Sequence, residues 1–526
     1  MTHRYTFVLS ERVNAGSGMA LGLALLLLAG WSTQGRADPM GQVIERAEVL
    51  AASEWQPPNP PDPILAALDY DRYRAIRFDP DRALWRDSGR FRIQFFHPGF
   101  LYNEAVRIHE VDGDGVRAVP FDLSRFSFGP ALEGSPSGAE TAGGHAGFRV
   151  HYPINRPDRH DEFLVFLGAS YFRLVGRDQV YGLSARGLAL DSGGPGDEEF
   201  PVFREFWLIR PDSDADRMVV LALLDSPSLT GAYRFEVRPG DPSSIDVDAH
   251  LFAREDLVRP GIAPLTSMYT HGDTGPFLVD DFRPRVHDSD GLLVVSSRGE
   301  AQWRPLSNRA RVRLSAFVDD APPRGFGLLQ RRREWAGFQD LEARYERRPG
   351  LWVEPLAGDW GSGRVELVEI PTADETHDNI VAFWVPDDPI DAGQSRHVAY
   401  RLTTVGDAEP LSGLARVQAT RTGRAGLPGQ ETWRQRMQRR FVIDFHLDSP
   451  PEDEPVELYA STGAGDIVEA RLERLPGDRA LRAVIALDPD ASGAPSDVRV
   501  FLHRADVPLS EVWTYVWYPE EFDRHL

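Results

Sequence analysis

From Phe91 onward, apolar and polar residues alternate with a period of two, which commits most of the chain to β-strands. "RFRIQFF", "FRVHYPI", "EFLVFLG", "FPVFREFWLI", "YRFEVRPG", "IDVDAHLFA", "RVRLSAFV", "RVELVEI" and "NIVAFWV" all read this way. Gly, Pro, Asp and Ser separate these runs at intervals that leave little room for crossover helices, so the expected class is all-β rather than parallel α/β. Two stretches depart from the pattern. "GQVIERAEVLAASEW" (Gly41–Trp55) has Val43, Ile44, Ala47, Leu50 and Ala51 at helical spacing and is stopped by "QPPNPPDP". "GLLQRRREWAGFQDLEARYERRPG" (Gly327–Gly350) places Trp335, Phe338, Glu342 and Tyr345 on roughly one helical face and predicts a helix-containing excursion from the sheet.

At 526 residues the chain is too long for one ordinary core, and two domains are expected. Composition shifts at "PDDPIDAGQSRH", which is read as a linker at 387–396 between an N-terminal sandwich, 38–386, and a C-terminal domain, 397–526. In the latter, "HVAYRLTT", "ARVQATRT", "RRFVIDFHL", "PVELYAS", "DIVEARLERL", "RALRAVIAL", "DVRVFLHR" and "VWTYVWYP" have the spacing of an immunoglobulin-like sandwich. "EGSPSGAETAGGHAG" (Glu133–Gly147) is expected to be a flexible surface loop.

Residues 1–37 read as a secretory signal: Arg4 and Arg12, the apolar run "MALGLALLLLAGW", then small residues with cleavage near Ala37. With no Arg-Arg pair ahead of the apolar run, the general secretory route is expected, and no later stretch approaches membrane-spanning length. An exported chain without any cysteine excludes thiol catalysis and thiolate metal sites and points to the bacterial periplasm. The formal charge of −22 falls to −24 once residues 1–37, with three Arg and one Glu, are removed. Such a surface repels nucleic acid and anionic lipid, so a neutral ligand fits better than a polyanion.

Zinc-protease, P-loop, dinucleotide and nucleophile-elbow motifs are absent, and His145, His151 and His160 match no ligand spacing, so neither metal nor cofactor is expected. "DGDG" (Asp112–Gly115) and "DSDG" (Asp288–Gly291) are read as Asp-Gly turns rather than calcium loops. Any catalysis then falls to carboxylates. Asp280, Asp281, Asp288 and Asp290 cluster around His287 in "VDDFRPRVHDSDGLLV", and Asp374, Glu375 and Asp378 occupy the connection "PTADETHDN". Asp and Thr also populate turns because their side chains bond the local backbone. The functional alternative needs one carboxyl that keeps its proton for a leaving oxygen and another that takes a proton from water, the division of labour in glycoside hydrolysis. Asp378, at the mouth of an apolar strand and with Asp374 and Glu375 as like charges before it, is the candidate acid. Sugars also need flat apolar platforms; Trp335, Phe338, Tyr345, Trp352 and Trp360 lie between the two acidic stretches, with Arg332 beside them as a polar contact.

"WRDSGRFRIQFFHPGFLYNEAVRIHEV", "YFRLVGRDQVYGLSARGLALDSG", "DDFRPRVHDSDGL", "YERRPGLWVEP" and "WGSGRVELVEIPTADETHDNIVAFWVP" resemble, in this order, the periplasmic glucan biosynthesis proteins of the OpgG/OpgD (MdoG/MdoD) family. The resemblance implies a large galactose-mutarotase-like β-sandwich followed by an immunoglobulin-like one. It also implies a role in making osmoregulated periplasmic glucans with β-1,2-linked backbones and, in D-type members, an inverting endo-β-1,2-glucanase. Carried onto this sequence, the general acid falls on Asp378 and Thr376 lines a water path. The base, acting through waters, falls on Asp290 in preference to Asp288, and Tyr345 positions those waters. The alternatives are a transglycosylase on β-1,2-glucan, or a non-catalytic glucan-binding assembly factor for an inner-membrane glucan synthase. Oligomeric state is left open between monomer and homodimer.

Overall fold

The computed structural model describes residues 38–522 apart from 59–62, 130–143, 195, 276–279, 408–409, 412, 427–428, 430–436, 449–454, 478 and 506. The expected signal segment therefore lies outside the described residues, as does most of the loop expected at 133–147. Two sheets, one of ten strands and one of fifteen, carry the larger sandwich. The ten-stranded sheet includes Arg92–Phe96, Gly147–Arg156, Arg159–Leu167, Tyr171–Leu174, Pro260–Ser267, Ile380–Pro386, Gly363–Glu369 and Arg313–Asp319. The fifteen-stranded sheet includes Val202–Ile209, Met218–Asp225, Leu229–Arg238, Ser244–Ala253, Ser395–Val405, Gly350–Gly358, Gly325–Leu329 and Gly291–Val295. The fold is an all-β sandwich.

Alternation becomes burial directly. In Ser244–Ala253, Ile245, Val247, Ala249 and Leu251 enter the core while their neighbours face out. Ile380–Pro386 is buried along its whole length because it is covered on both faces. Ile380, Ala382 and Trp384 join the large core, and Val381, Phe383 and Val385 pack with Ala189 and Val368 behind it. Each such large apolar side chain contributes about 1.5–3 kcal/mol. This strand fixes the end of the loop that precedes it.

The helix expected near residue 41 forms as Pro39–Ala51. Val43 and Ala47 seat it on Trp207, Leu221, Leu223 and Ala232, on the outer face of the fifteen-stranded sheet. In place of the helix expected within 327–350, the stretch between strands Gly325–Leu329 and Gly350–Gly358 has as its helical pieces only the short 3₁₀ turns Trp335–Gly337 and Tyr345–Arg347. Gln339 and Arg344 adopt positive φ, 57° and 51°, and break the helical run. Asp112–Gly115 is the expected hairpin turn, closed by the Asp112 carboxylate accepting the Asp114 amide at 2.9 Å. Asp288–Gly291 is not a turn. The Asp288 amide donates to Met268 and the Asp290 amide to Leu329, both at 2.9 Å, so this stretch is tied to neighbouring chain on each side.

The second sandwich begins later than expected. Ser395–Val405 lies between Ser244–Ala253 and Gly350–Gly358, with Val398, Tyr400 and Leu402 in the large core. The segment 387–396 is thus a crossing between the two faces of the first sandwich, pinned by the Leu257–Ile390 bridge. Arg416–Arg424, Arg439–His446, Ala480–Asp488 and Asp466–Arg474 form a separate four-stranded sheet. Opposite it, Glu457–Thr462, Ser496–Arg504 and Val512–Trp517 continue the fifteen-stranded sheet through parallel pairing of Trp303 with Trp513. The second core consequently includes Leu293, Val295, Trp303, Leu329 and Trp352 from within the span 38–386 expected to form the first domain. A buried Arg331–Glu511 pair, 2.6 Å, with the guanidinium 3.7 Å from the Trp303 ring, locks the seam.

Candidate functional site

The loop between Gly363–Glu369 and Ile380–Pro386 is clamped at its base by two asparagine amides. Asn379 accepts the Tyr269 amide at 2.8 Å and donates to the carbonyls of Tyr269 and Ile370, at 3.1 and 2.9 Å. Asn308 accepts the Thr372 amide and donates to the Thr372 and Thr270 carbonyls. At the tip, the Asp374 carboxylate accepts the Thr376 amide at 2.8 Å and its hydroxyl at 2.5 Å, the local turn chemistry that Asp and Thr favour. Thr376 is therefore engaged within the loop. Glu375 instead reaches inward, accepting the Tyr345 hydroxyl at 3.1 Å and pairing with Arg283 at 2.7 Å. Arg283 also binds Asp281 and Asp340, at 2.7 and 2.9 Å, so one guanidinium ties three segments together. Its hydrogen bonds hold the Asp281 carboxyl down to about 2.

Asp378 is 34% exposed at its side chain, and Arg173 of strand Tyr171–Leu174 lies 3.8 Å away. Across from it, Asp288 is buried and bound to Arg348 at 2.5 Å. Burial raises the Asp288 carboxyl above its ordinary range; Arg348 opposes the shift and the charge of Asp378 adds to it. The same Arg348 guanidinium lies 4.1 Å from the Tyr345 ring, and burial pushes the Tyr345 phenol up, so it remains a donor. Asp288, Arg348, Tyr345, Glu375 and Arg283 thus form one chain of contacts, and Asp378, beside Arg173, acts on it through its charge on Asp288.

Asp290 faces elsewhere. Its carboxylate accepts the amides of Arg331, at 3.2 Å, and Arg332, at 3.3 Å, and burial pushes it up to about 6 against the charge of Arg331. It borders a cavity of ≈ 30 Å³ at the seam of the sandwiches, with Asp273, Arg285, His287, Arg332 and Gln418 among the lining residues. That volume holds two or three waters, at about 10–15 Å³ each. Burial pushes His287 down to about 3; stacked on Tyr269 and donating from Nδ1 to Gln330 at 3.0 Å, it is neutral. Arg332 is engaged by Asp273 at 2.6 Å and Glu334 at 2.7 Å.

Of the expected sugar platforms, only Trp335 is available, 49% exposed. Phe338 is fully buried against His287 and Tyr345. Trp352 belongs to the second core, and Trp360 to the first, where its indole N–H donates to the Ala357 carbonyl at 3.0 Å. These three rings cannot stack on a ligand because protein covers their faces. Sequence reasoning missed Arg173, Arg348 and Arg283 and gave Glu375 only the role of a neighbouring charge. Arg348 adjoins Tyr345 in "YERRP", but the separation of 60 positions between Arg348 and Asp288 hides their pairing.

Among the described residues no helix is long and apolar enough to cross a membrane. Residues 39–517 match the family model described as periplasmic glucan biosynthesis protein, MdoG. The chain is 46% identical to glucans biosynthesis protein G of Rhodopseudomonas palustris (strain BisA53), over 90% of this chain and 91% of that one. It is 43% identical to the protein of the same name in Shewanella frigidimarina (strain NCIMB 400), over 90% and 84% of the two chains. With a Vibrio cholerae relative, also named glucans biosynthesis protein G, the identity is 43% over 90% and 86%. Matched along nearly all of its folded length, the chain belongs to the MdoG family of periplasmic glucan biosynthesis proteins.

Proposed function

We propose that this protein acts in the periplasm on a β-1,2-linked glucan and cleaves it with inversion, Asp378 serving as general acid and Asp290 as a base reached through water. The observation that carries this reading is the contrast between carboxyls on one framework. Asp378 is open to a ligand beside Arg173, whereas Asp290 is part-buried beside a cavity of ≈ 30 Å³ with its carboxyl pushed up to about 6. A group titrating there is mostly ionised at neutral pH yet basic enough to accept a proton. Asp288 is the weaker base because its oxygen is committed to Arg348 at 2.5 Å. An inverting pair needs room for water between its carboxyls, about 6.5–9.5 Å in the ordinary case. The Tyr345 hydroxyl donates its proton to Glu375, which leaves its oxygen lone pairs as acceptors for a water, and Thr376 closes the loop that presents Asp378.

Incubation of the full chain with linear β-1,2-glucan is expected to release shorter oligosaccharides with inverted anomeric configuration by NMR. Asp378→Asn is expected to lower turnover about 10²–10⁴-fold. Unchanged turnover in Asp378→Asn removes this residue from the mechanism. A second reading, glucan binding without cleavage in support of an inner-membrane synthase, is favoured by one feature. Asp281, Asp288, Asp340 and Glu375 are all paired with arginines, a network suited to rigid recognition. Saturable glucan binding with no product from the wild-type chain supports that reading and overturns the first.

A further inference from the structure

On the outer face of the fifteen-stranded sheet, the antiparallel register of Ser244–Ala253 and Ser395–Val405 sets His250 directly opposite His397. Asp248 lies two residues before His250 and so shares its face, while Val247, Ala249 and Leu251 point into the core. The two imidazoles stack with centroids 4.4 Å apart and planes 23° from parallel. Asp248 bridges them: one carboxylate oxygen is 3.2 Å from His250 Nε2 and the other 3.2 Å from His397 Nε2. The ligating atoms of all three side chains lie within 4.8 Å of one another.

We propose that Asp248, His250 and His397 form a zinc(II)-binding site that staples these two strands. With bonds of about 2.0–2.1 Å, the corners of a tetrahedral zinc site stand about 3.3–3.4 Å apart. Each Nε2 already stands 3.2 Å from one of the two Asp248 oxygens, close to such an edge, and reorientation of the two rings about their side-chain bonds converges both Nε2 lone pairs on one ion. Two imidazoles and a carboxylate are donors suited to zinc, and side chains 31%, 35% and 37% exposed leave an entrance and a fourth position for water. Neighbouring cations have other partners: Arg234 binds Glu236 and Arg401 binds Asp246, both at 2.6 Å. The loop bearing Asp378 enters the other sheet, so this site is separate from the glucan site.

The test uses the full chain stripped with a chelator, then titrated with Zn²⁺ by calorimetry and with Co²⁺ by absorption spectroscopy. One ion per chain and a tetrahedral Co²⁺ spectrum are expected, with a rise in unfolding midpoint on Zn²⁺ addition. His250→Gln and His397→Gln should each weaken binding by roughly two orders of magnitude, and Asp248→Asn by about tenfold, while His446→Gln leaves it unchanged. Circular dichroism of the Gln variants separates lost ligation from lost folding. No stoichiometric Zn²⁺ binding by the wild-type chain, or undiminished binding in a folded His250→Gln/His397→Gln variant, overturns the proposal.

Discussion

The two acidic stretches are similar in composition but occupy opposite environments. Asp288 and Asp290 lie on a segment whose amides are bonded to Met268 and Leu329 inside the sandwich. Asp374 to Asp378 lie on a loop clamped at its base by Asn308 and Asn379 and held further along through Glu375, by Tyr345 and Arg283. Burial raises the carboxyls of Asp288 and Asp290 against the opposing charges of Arg348 and Arg331; those of the loop stay partly exposed, Glu375 while bonded to Tyr345 and Arg283. A substitution in the loop should therefore act on chemistry and spare the fold. A substitution in the buried segment should affect both.

The largest effect is expected at Asp378. Asp378→Asn should lose about 10²–10⁴ in glucan turnover, equivalent to about 3–5 kcal/mol of barrier, with its urea unfolding midpoint unchanged. A large stability loss would erase the contrast between the two stretches. Next is the pH response of Asp290. The folded chain binds this proton more tightly than the unfolded chain, so the contribution is destabilising as pH rises from about 4 through about 6 and Asp290 must ionise in the interior. The shift corresponds to about 3 kcal/mol, at 1.36 kcal/mol per pH unit. Urea unfolding of Asp290→Asn should have a flatter pH dependence than wild type in that window; parallel profiles would mean that the carboxyl is not enclosed.

Asp288→Asn should cost about 2 kcal/mol in the same measurement. That is less than the 3–5 kcal/mol for breaking a fully buried pair, because Arg348 keeps 19% exposure and its bond to the Ala343 carbonyl. Tyr345→Phe removes only the hydroxyl donated to Glu375, which retains Arg283, so a loss of about 1 kcal/mol is expected. A much larger loss there would show that the phenol, rather than Arg283, holds the loop against the buried segment.

Most strands were legible because alternation records which residues are half buried, and the helix Pro39–Ala51 because its apolar stripe repeats at 3.6 residues. The errors have a common physical origin. "HVAYRLTT" alternates as well in either sandwich, and only pairing with Ser244–Ala253 and Gly350–Gly358 assigned it to the first. Aromatic rings look alike whether they line a groove or fill a core, which is why Trp352 and Trp360 were read as platforms. The stretch "DSDG" has turn composition, yet its amides pair with neighbouring chain, and that pairing makes its carboxyls unusual.

From residue order alone follow the all-β class, the position of the loop bearing Asp378 and the two acidic stretches, because each depends on chemistry within a few neighbouring residues. The partners of those carboxyls, Arg348 with Asp288 and Arg283 with Glu375, and the pairing of His397 with His250 depend on contacts between distant segments. Strand pairing and burial create these contacts and leave no local trace. The sequence supplies the charges, and the tertiary fold sets their desolvation and their neighbours, and hence where their protons reside.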